Sequence, residues 1–525
     1  MRDLLFPIRP AAATSLQSQI REKIVTAILD GHIPAGDRLP SSRRLARDLK
    51  VSRNTVTLAY QALVDDGFLL GRERSGYFVN RDMLEMRVRP KPQAPQLSID
   101  WPERLQLHPS RQENVEKPVN WAAYPYPFIY GQVDSGLFPI AEWRDCARLA
   151  LGRRWLEDWA ADHHANDDPK LIEQIRTRLL PRRGVLAGES EVLVTLGAQH
   201  ALYLLSALLV GRQTVVGIEN PGYPDVRNIF TLASDRVVPL PVDAEGLELG
   251  QELARCEVVY ATPSHQAPTT VTMSEARRLA LLDLAKASDL VIIEDDYELE
   301  TNFVSAPSPA LKSLDRDGRV IYVGSLSKTL FPGLRLGFLV GAPELIAEAR
   351  ALRRLMVRHP PNNSQRTAAL FLQLGHHDAL MMRLRRAYAQ RWQAIGEAID
   401  RHTPRIILAH SLGSVVTYEA LWQNAHREVD LLITLGSPLA MPTVVYDRLD
   451  PSPRDSPARK PPGVRRWVNV ADPGDVVSIL RPMTNYFDGI DQLLEPSIHV
   501  ADVHFARHYL SAPAVAALIG AELSR

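Results

Sequence analysis

Six short apolar runs, spaced so that a helix fits between most of them, limit the middle of this chain to very few folds. They read "EVLVTLG", "TVVGIEN", "CEVVYAT", "DLVIIEDD", "RVIYVGS" and "RLGFLVG" between residues 191 and 341. Each is too short for a buried helix, and most carry consecutive Val and Ile. Strands that are apolar on both faces belong inside a sheet covered on both sides. Helical stretches such as "SEARRLALLDLAKA" lie between them. The pattern predicts a layered α/β domain with a largely parallel sheet over residues 121–400.

The flanks read differently. Residues 14–80 alternate amphipathic helical patterns with short turns. Residues 81–120 are rich in Pro and charge without a sustained period, which reads as a linker. After an Arg-rich helical stretch near 377–400, a second strand–turn–helix series follows: "RIILAHS", "VDLLITLGSP" and "VRRWVNVADPGD". A Pro- and Arg-rich loop, "DPSPRDSPARKPPG", interrupts it. Lys plus Arg and Asp plus Glu both number 61, so any preference for nucleic acid must come from a local patch. The two cysteines, Cys146 and Cys256, rule out a disulfide scaffold and fit a reducing compartment. The first residues lack the apolar core of a signal peptide. No run of about 18 apolar residues suggests a membrane span. The expected location is cytoplasmic.

In the N-terminal region, Pro40 and Ser41 can start a helix, and Ser52 stands where the next helix needs a cap. Val56, Ala59, Tyr60 and Leu63 share one face of the helix that follows Ser52. "FLLGRERSGYFV" reads as a hairpin. Two helices and a hairpin make a winged helix-turn-helix, whose second helix would present Arg53, Asn54 and Thr55 to base edges and phosphates. Arg43, Arg72 and Arg74 could neutralise phosphates. The stretch "GHIPAGDRLPSSRRLARDLKVSRNTVTLAYQALVDDGFLLGRERSGYFV" resembles the GntR family of bacterial regulators along its whole length. The resemblance implies DNA contacts from Arg43, Ser52, Arg53, Asn54, Thr55 and Gly76.

The strongest chemical signal is "GSLSKTLFPGLRLG", residues 324–337. A lysine at a buried strand end is costly unless neutral or bonded, and covalent capture of an aldehyde cofactor gives Lys328 a task. Ser325, Ser327 and Arg335 would hold a phosphate. Asp295 ends the strand in "VIIEDDYELE" and would face a pyridine nitrogen, with Tyr297 on the ring hydroxyl. Gly197, Ala198 and Gln199 open a helix whose amides would face the phosphate. Tyr223 offers a plane to stack on the ring, and His265 and Gln266 lie at another strand end. All these pieces fall at strand carboxyl ends, where open α/β sheets bind ligands. Residues 121–400 resemble the fold-type I aminotransferases, and with the winged helix in front the pair resembles the MocR-type subfamily of GntR regulators. That resemblance implies pyridoxal 5'-phosphate on Lys328, a homodimer, a small-molecule effector (an amino acid or the cofactor itself) and double-stranded operator DNA. The family's small C-terminal domain, which supplies an arginine for the amino-acid carboxylate, is not recognised here.

"RIILAHSLGSVVTYEAL" reads as strand, elbow and helix with Ser411 at the tip and the Leu412 amide beside it. Asp475 (with Asp472 as rival) and His504 (with His508 as rival) complete the order nucleophile, acid, base. Residues 404–525 resemble the later part of lipase-like α/β hydrolases. The strands that normally precede the elbow, and the second oxyanion donor they bring, are replaced by the aminotransferase-like domain. An unpaired sheet edge is then expected, and a lost oxyanion donor costs about 100- to 1,000-fold in rate.

The chain is thus read as multidomain: a winged helix-turn-helix (α+β) at 1–80, a linker at 81–120, an α/β fold-type I transferase domain at 121–400 without its small domain, and a partial α/β-hydrolase segment at 404–525, with a join near 385–404. The expected function is a pyridoxal-phosphate-binding transcriptional regulator. The alternatives are an aminotransferase, or an esterase acting through Ser411.

Overall fold

The computed structural model describes residues 14–525 except 74, 83–98, 113–119, 124–131, 163–164, 244, 270, 298–307, 442–444, 447–448, 452, 454–457, 474, 476, 479–481, 497–505 and 525. The chain divides into two compact units, Met1–Leu105 and Gln106–Arg525. Among the described residues no helix is long and apolar enough to cross a membrane.

In the first unit, α1 (Leu16–Leu29), α2 (Ser42–Leu49) and α3 (Arg53–Asp65) precede a hairpin of β1 (Leu69–Arg72) and β2 (Gly76–Val79). The expected caps form: Ser41 Oγ accepts from the Arg44 amide and Ser52 Oγ from the Thr55 amide at 3.1 Å. Lys50, between the two helices, takes the left-handed conformation at φ 56°. The buried faces of α1 (Ile20, Ile24, Ile28) and α3 (Val56, Ala59, Tyr60, Leu63) meet Leu45, Leu69 and Val79 in one core. The Tyr60 hydroxyl donates to the Pro40 carbonyl at 2.9 Å, so this buried phenol is satisfied.

The second unit is built on an eight-stranded sheet. Its strands are β3 (Val192–Thr195), β4 (Val216–Asn220), β5 (Val237–Asp243), β6 (Gly246–Leu247), β7 (Val258–Ala261), β8 (Val291–Asp296), β9 (Val320–Ser325) and β10 (Gly337–Val340), in the spatial order β3-β10-β9-β8-β7-β4-β5-β6. β4, β5, β7, β8 and β9 are mutually parallel, and β10 runs antiparallel to both β3 and β9. β3 therefore points the same way as β9, and the carboxyl ends of six strands share one edge. Side chains alternate faces along each strand. Val258 and Tyr260 join one core under the helix Ala198–Leu209, while Val259 and Ala261 join the opposite core with Leu281 and Ala285 of the helix Glu275–Ala287. A sheet covered on both faces is what the continuous Val/Ile runs require.

A second, smaller sheet follows. β11 (Ile406–His410), β12 (Val429–Leu435), β14 (Val464–Val470) and β16 (Gln492–Leu494) are all parallel and lie in that order. The short strands β13 (Ala458–Arg459) and β15 (Phe487–Asp488) pair beside them. One face packs Leu432 and Trp467 with Tyr418 and Leu421 from the helix Leu412–Gln423. The other packs Leu431, Ile433 and Val468 against Tyr509 and Val515 from the helices Ala506–Ser511 and Pro513–Leu523. The 27-residue helix His376–His402 bridges the two sheets. Its Leu380 and Leu384 sit in the core of the large sheet, and its Ile399 in that of the small one. β11 is paired only to β12 among the described residues, with Leu408 44% exposed, so the expected open edge is present.

Trp467 is fully buried in the small sheet, and its indole N–H donates to Thr434 Oγ1 at 3.1 Å. Trp467→Ala should cost about 3–5 kcal/mol, read as a lowered denaturation midpoint by far-ultraviolet circular dichroism. A cost below about 1 kcal/mol would show that the small sheet has no packed core of its own.

Candidate functional site

The shared carboxyl edge of the large sheet gathers the residues singled out above. Asp295 lies one residue before the end of β8, opposite Val323 of β9. Its Oδ2 accepts from the Tyr260 hydroxyl at 2.9 Å, while Oδ1 is buried without a hydrogen-bond partner. Burial lifts its carboxyl from 3.8 to about 7, with the acids Asp296 and Glu219 adding to the rise and Lys328 opposing it. Lys328 sits in the turn after β9, half-buried, with Nζ 5.9 Å from the centre of the Tyr297 ring. His265, after β7, meets the same ring edge-on at 5.8 Å. A lysine from the end of β9 and a buried acid and a phenol from the end of β8 are therefore assembled, with His265 from the end of β7 beside them.

The neighbouring strand ends form a cradle. Gly197 (φ 83°) opens the helix Ala198–Leu209, and no side chain caps the first amides. Those amides are orphan donors with the positive end of the helix dipole behind them. Ser325 Oγ accepts from the Ser327 amide at 3.2 Å, while Ser327 Oγ is buried without a partner. Arg335, at φ 50°, donates to the Leu196 carbonyl at 3.3 Å. A Cβ on Gly197 would lie 3.2 Å from its guanidinium. A Cβ on Gly337 would lie 2.8 Å from the Gly324 carbonyl and 2.9 Å from Gly197, so only glycine lets these three backbones close together.

Tyr223 is held at its hydroxyl. Its hydroxyl donates to Asp225 at 2.7 Å and receives from Gln199 at 3.3 Å, and Gln199 also donates to Asp225. Gln199 thus spends its side chain fixing Tyr223, and only its backbone faces the cradle. Gln266 is likewise structural: it donates to the Pro221 carbonyl at 2.8 Å and to buried Glu219.

Three partners were missed by sequence reasoning. Tyr260 holds Asp295. Asp296, the second acid of "EDD", faces the other side of the sheet, where it accepts from Arg183 at 2.5 Å and from Tyr322 at 2.7 Å. Asp225 fixes Tyr223 and Gln199. The doubled acid was the available signal for Asp296, since adjacent strand residues must face opposite sides.

In the first unit, Arg43, Ser52, Arg53 and Asn54 are exposed. The Ser52 and Thr55 hydroxyls bond each other at 2.8 Å, so both also shape the turn. Gly76 takes φ 103°, and a Cβ there would lie 3.3 Å from Arg38. Arg72 lies over the Phe78 ring at 4.9 Å. Arg74 lies outside the described residues.

At the small sheet, Ser411 joins β11 to the helix Leu412–Gln423 with φ 52° and ψ −133°. A non-glycine residue held there costs about 1–3 kcal/mol. Asp475 follows β14 and is fully buried; it accepts from the Tyr509 hydroxyl at 2.5 Å and from the Val477 amide at 2.9 Å. Asp472 is also buried, and its amide donates to Tyr509 at 3.1 Å. His508 precedes Tyr509 on its helix, and His504 lies outside the described residues.

The family model for gntR-family bacterial regulatory proteins matches residues 16–79, and that for class I and II aminotransferases matches residues 165–421. The second match runs past the expected join near 385–404, through β11 and the elbow. The HTH-type transcriptional regulator TauR of Rhodobacter capsulatus is 45% identical over 428 residues, covering 81% of this chain and 87% of that protein. The probable rhizopine catabolism regulatory protein MocR of Rhizobium meliloti is 35% identical over 399 residues, covering 74% and 78%. Among solved structures, the Pyrococcus horikoshii kynurenine aminotransferase aligns at 28% identity with a TM-score of 0.48, covering 52% of this chain and 69% of that one.

Asp295 binds its proton more tightly folded than unfolded, so its contribution to stability falls as pH rises from about 4 to about 7. Asn carries no such loss. In cofactor-free protein, Asp295→Asn should therefore gain stability relative to wild type across that window, with the difference constant above it. Thermal midpoints at pH 4.5, 6 and 7.5 measure this; a pH-independent difference would contradict it.

Proposed function

The chain belongs to the GntR family of bacterial regulators, in the group that joins a helix-turn-helix domain to an aminotransferase class I and II domain, and from that membership we propose how its residues divide the work. The protein is a transcriptional regulator of the MocR type. In our reading Lys328 carries pyridoxal phosphate, and the observation that carries this is the pair of unpartnered buried oxygens beside that lysine, Asp295 Oδ1 and Ser327 Oγ. A buried polar atom without a partner costs about 1–3 kcal/mol, and a pyridinium N–H and a phosphate oxygen would satisfy these two. When bound, the cofactor supplies an aldehyde that captures amines and a ring that withdraws electrons.

The chain's own residues do the rest. Asp295 keeps a proton on the ring nitrogen, with Tyr260 holding the carboxylate in line. The amides after Gly197, with Ser325, Ser327 and Arg335, neutralise the phosphate. Tyr297 bonds the ring hydroxyl, and Tyr223, fixed by Asp225 and Gln199, covers the ring. Arg53 and Asn54 read the operator, while Arg43 and the turn at Gly76 follow its backbone. The regulator works as a cytoplasmic homodimer and responds to a small-molecule effector, an amino acid or the cofactor itself. Residues 404–525 are read as a partial α/β-hydrolase segment, a reading favoured by the all-parallel small sheet and the left-handed backbone of Ser411.

Lys328→Ala should abolish the visible absorbance that wild type acquires with pyridoxal phosphate. Unchanged absorbance would remove Lys328 from the site. Arg53→Ala should weaken binding to an operator selected from random DNA by about 1–3 kcal/mol, roughly 5- to 150-fold, and flatten its salt dependence. Equal affinity in gel shifts at two salt concentrations would move the reading surface elsewhere.

A further inference from the structure

A cleft of the second unit lies away from the cradle. It encloses about 840 Å³, and its wall carries Asp158, Asp167, Asp168, Glu189, Arg350 and Arg366. Glu189 stands just before β3, whereas Gly197 of the cradle follows that strand. The cleft and the cradle therefore flank opposite ends of β3.

β3 is the first strand in the sheet order and pairs only with β10 among the described residues. Side chains complete its free edge. Asp167 Oδ2 accepts from the Val194 amide at 3.3 Å, and Arg350 donates to the Val192 carbonyl at 3.1 Å. Arg353 donates to the Val194 carbonyl, and Asp167 pairs with both arginines. These charges are accounted for by the sheet edge, whose backbone groups would otherwise stand unpaired.

Two charges of the cleft are not accounted for in this way. Arg366 is only 3% exposed. Its Nε donates to Asp168 Oδ2 at 2.6 Å, its Nη2 lies 3.5 Å from Asp158 Oδ1, and its guanidinium lies over the Trp155 ring at 4.5 Å. Those contacts fix the group, yet Nη1 is buried without a hydrogen-bond partner. A fixed, buried donor of this kind calls for an acceptor. Asn362, the first residue of the uncapped helix Asn362–Gln373, also lines the cleft and brings the positive end of a helix dipole there. Glu189 is the opposite case: it is exposed and forms no ion pair among the described residues.

We propose that this cleft binds a small zwitterion, a molecule with one acid group and one primary ammonium, such as an amino acid. The acid group accepts from Arg366 Nη1 in front of the helix Asn362–Gln373. The ammonium donates to Glu189, with Asp158 as a second carboxylate on the wall. The volume suits a small molecule. A ligand with only the acid leaves Glu189 without its cation, and one with only the amine leaves Nη1 unsatisfied, so the wall favours a ligand with both. Binding here is non-covalent and independent of the seat proposed at Lys328.

The test is isothermal titration of the full chain after pyridoxal phosphate and borohydride, a treatment that closes Lys328 to amines. The probes are glycine, β-alanine and 5-aminopentanoate, with propionate and propylamine as single-charge controls. At least one amino acid should bind saturably and exceed both controls about tenfold or more, the share of one hydrogen bond to a charged group. Glu189→Gln should lower that affinity about tenfold and keep the wild-type thermal midpoint, since the residue is exposed and unpaired. Arg366→Lys keeps a cation beside Asp168 without Nη1 and should weaken binding similarly. The exposed Glu189→Gln carries the test if the buried variant does not fold. No saturable binding of any amino acid, equal affinity for propionate, or wild-type affinity in Glu189→Gln would overturn the proposal. Failure of the cofactor to add at Lys328 would sink the cofactor reading alone, because the cleft shares no residue with that seat.

Discussion

One carboxylate oxygen, Asp295 Oδ1, organises the second unit. It is buried at the end of a central strand with no partner, while its twin is held by Tyr260. A charge there is expensive, which is why burial lifts the carboxyl to about 7. In the proposed reading that cost is offset when a cationic N–H of the cofactor arrives. The neighbouring acids have internal partners: Glu294 accepts from the Leu311 and Lys312 amides at 2.7 and 2.8 Å, and Asp296 Oδ2 from Arg183 and Tyr322, although Asp296 Oδ1 is also without a hydrogen-bond partner. Within the run Glu294–Asp296, Asp295 is the acid turned toward Lys328.

The sheet makes that arrangement possible. Parallel strands deliver Gly197, Asn220, Ala261, Asp295 and Ser325 to a common edge, and crossover helices cover both faces, so the acid is dry while the edge stays open. Close approach of Gly197, Gly324 and Gly337 brings the helix amides, the lysine turn and Arg335 into one cradle. The long helix His376–His402 then carries the chain to a second parallel sheet with its own two-sided core. The first unit needs none of this: its core closes on three helices and a hairpin.

Much of this was legible in the sequence because it is local. Val and Ile runs with helical spacers marked the strands. Ser41 and Ser52 marked the helix starts, and "GSLSK" after a strand marked the lysine turn. The pairs that span the chain were not legible: Arg183 with Asp296 is 113 residues apart, and Tyr260 with Asp295 is 35. Nothing in a linear pattern says which of two adjacent acids will meet a distant arginine until the sheet fixes their faces. Asp225, two residues after Tyr223 at a helix start, carries no sequence signal that it tethers the Tyr223 hydroxyl. The boundary near 404 was read from a change in pattern. The structure has β11 beginning at Ile406 there, yet the similarity to class I and II aminotransferases continues to residue 421, so a strand, a small-residue turn and a helix are common to both patterns.

In the proposed reading, the unpartnered oxygens at Asp295 and Ser327 mark a seat for pyridoxal phosphate on Lys328. Borohydride reduction of the protein after incubation with the cofactor, followed by peptide mass analysis, tests it directly. One phosphopyridoxyl addition is expected, on the peptide that contains Lys328, with a much lower yield from Asp295→Asn. Addition scattered over surface lysines, or none at all, would contradict it.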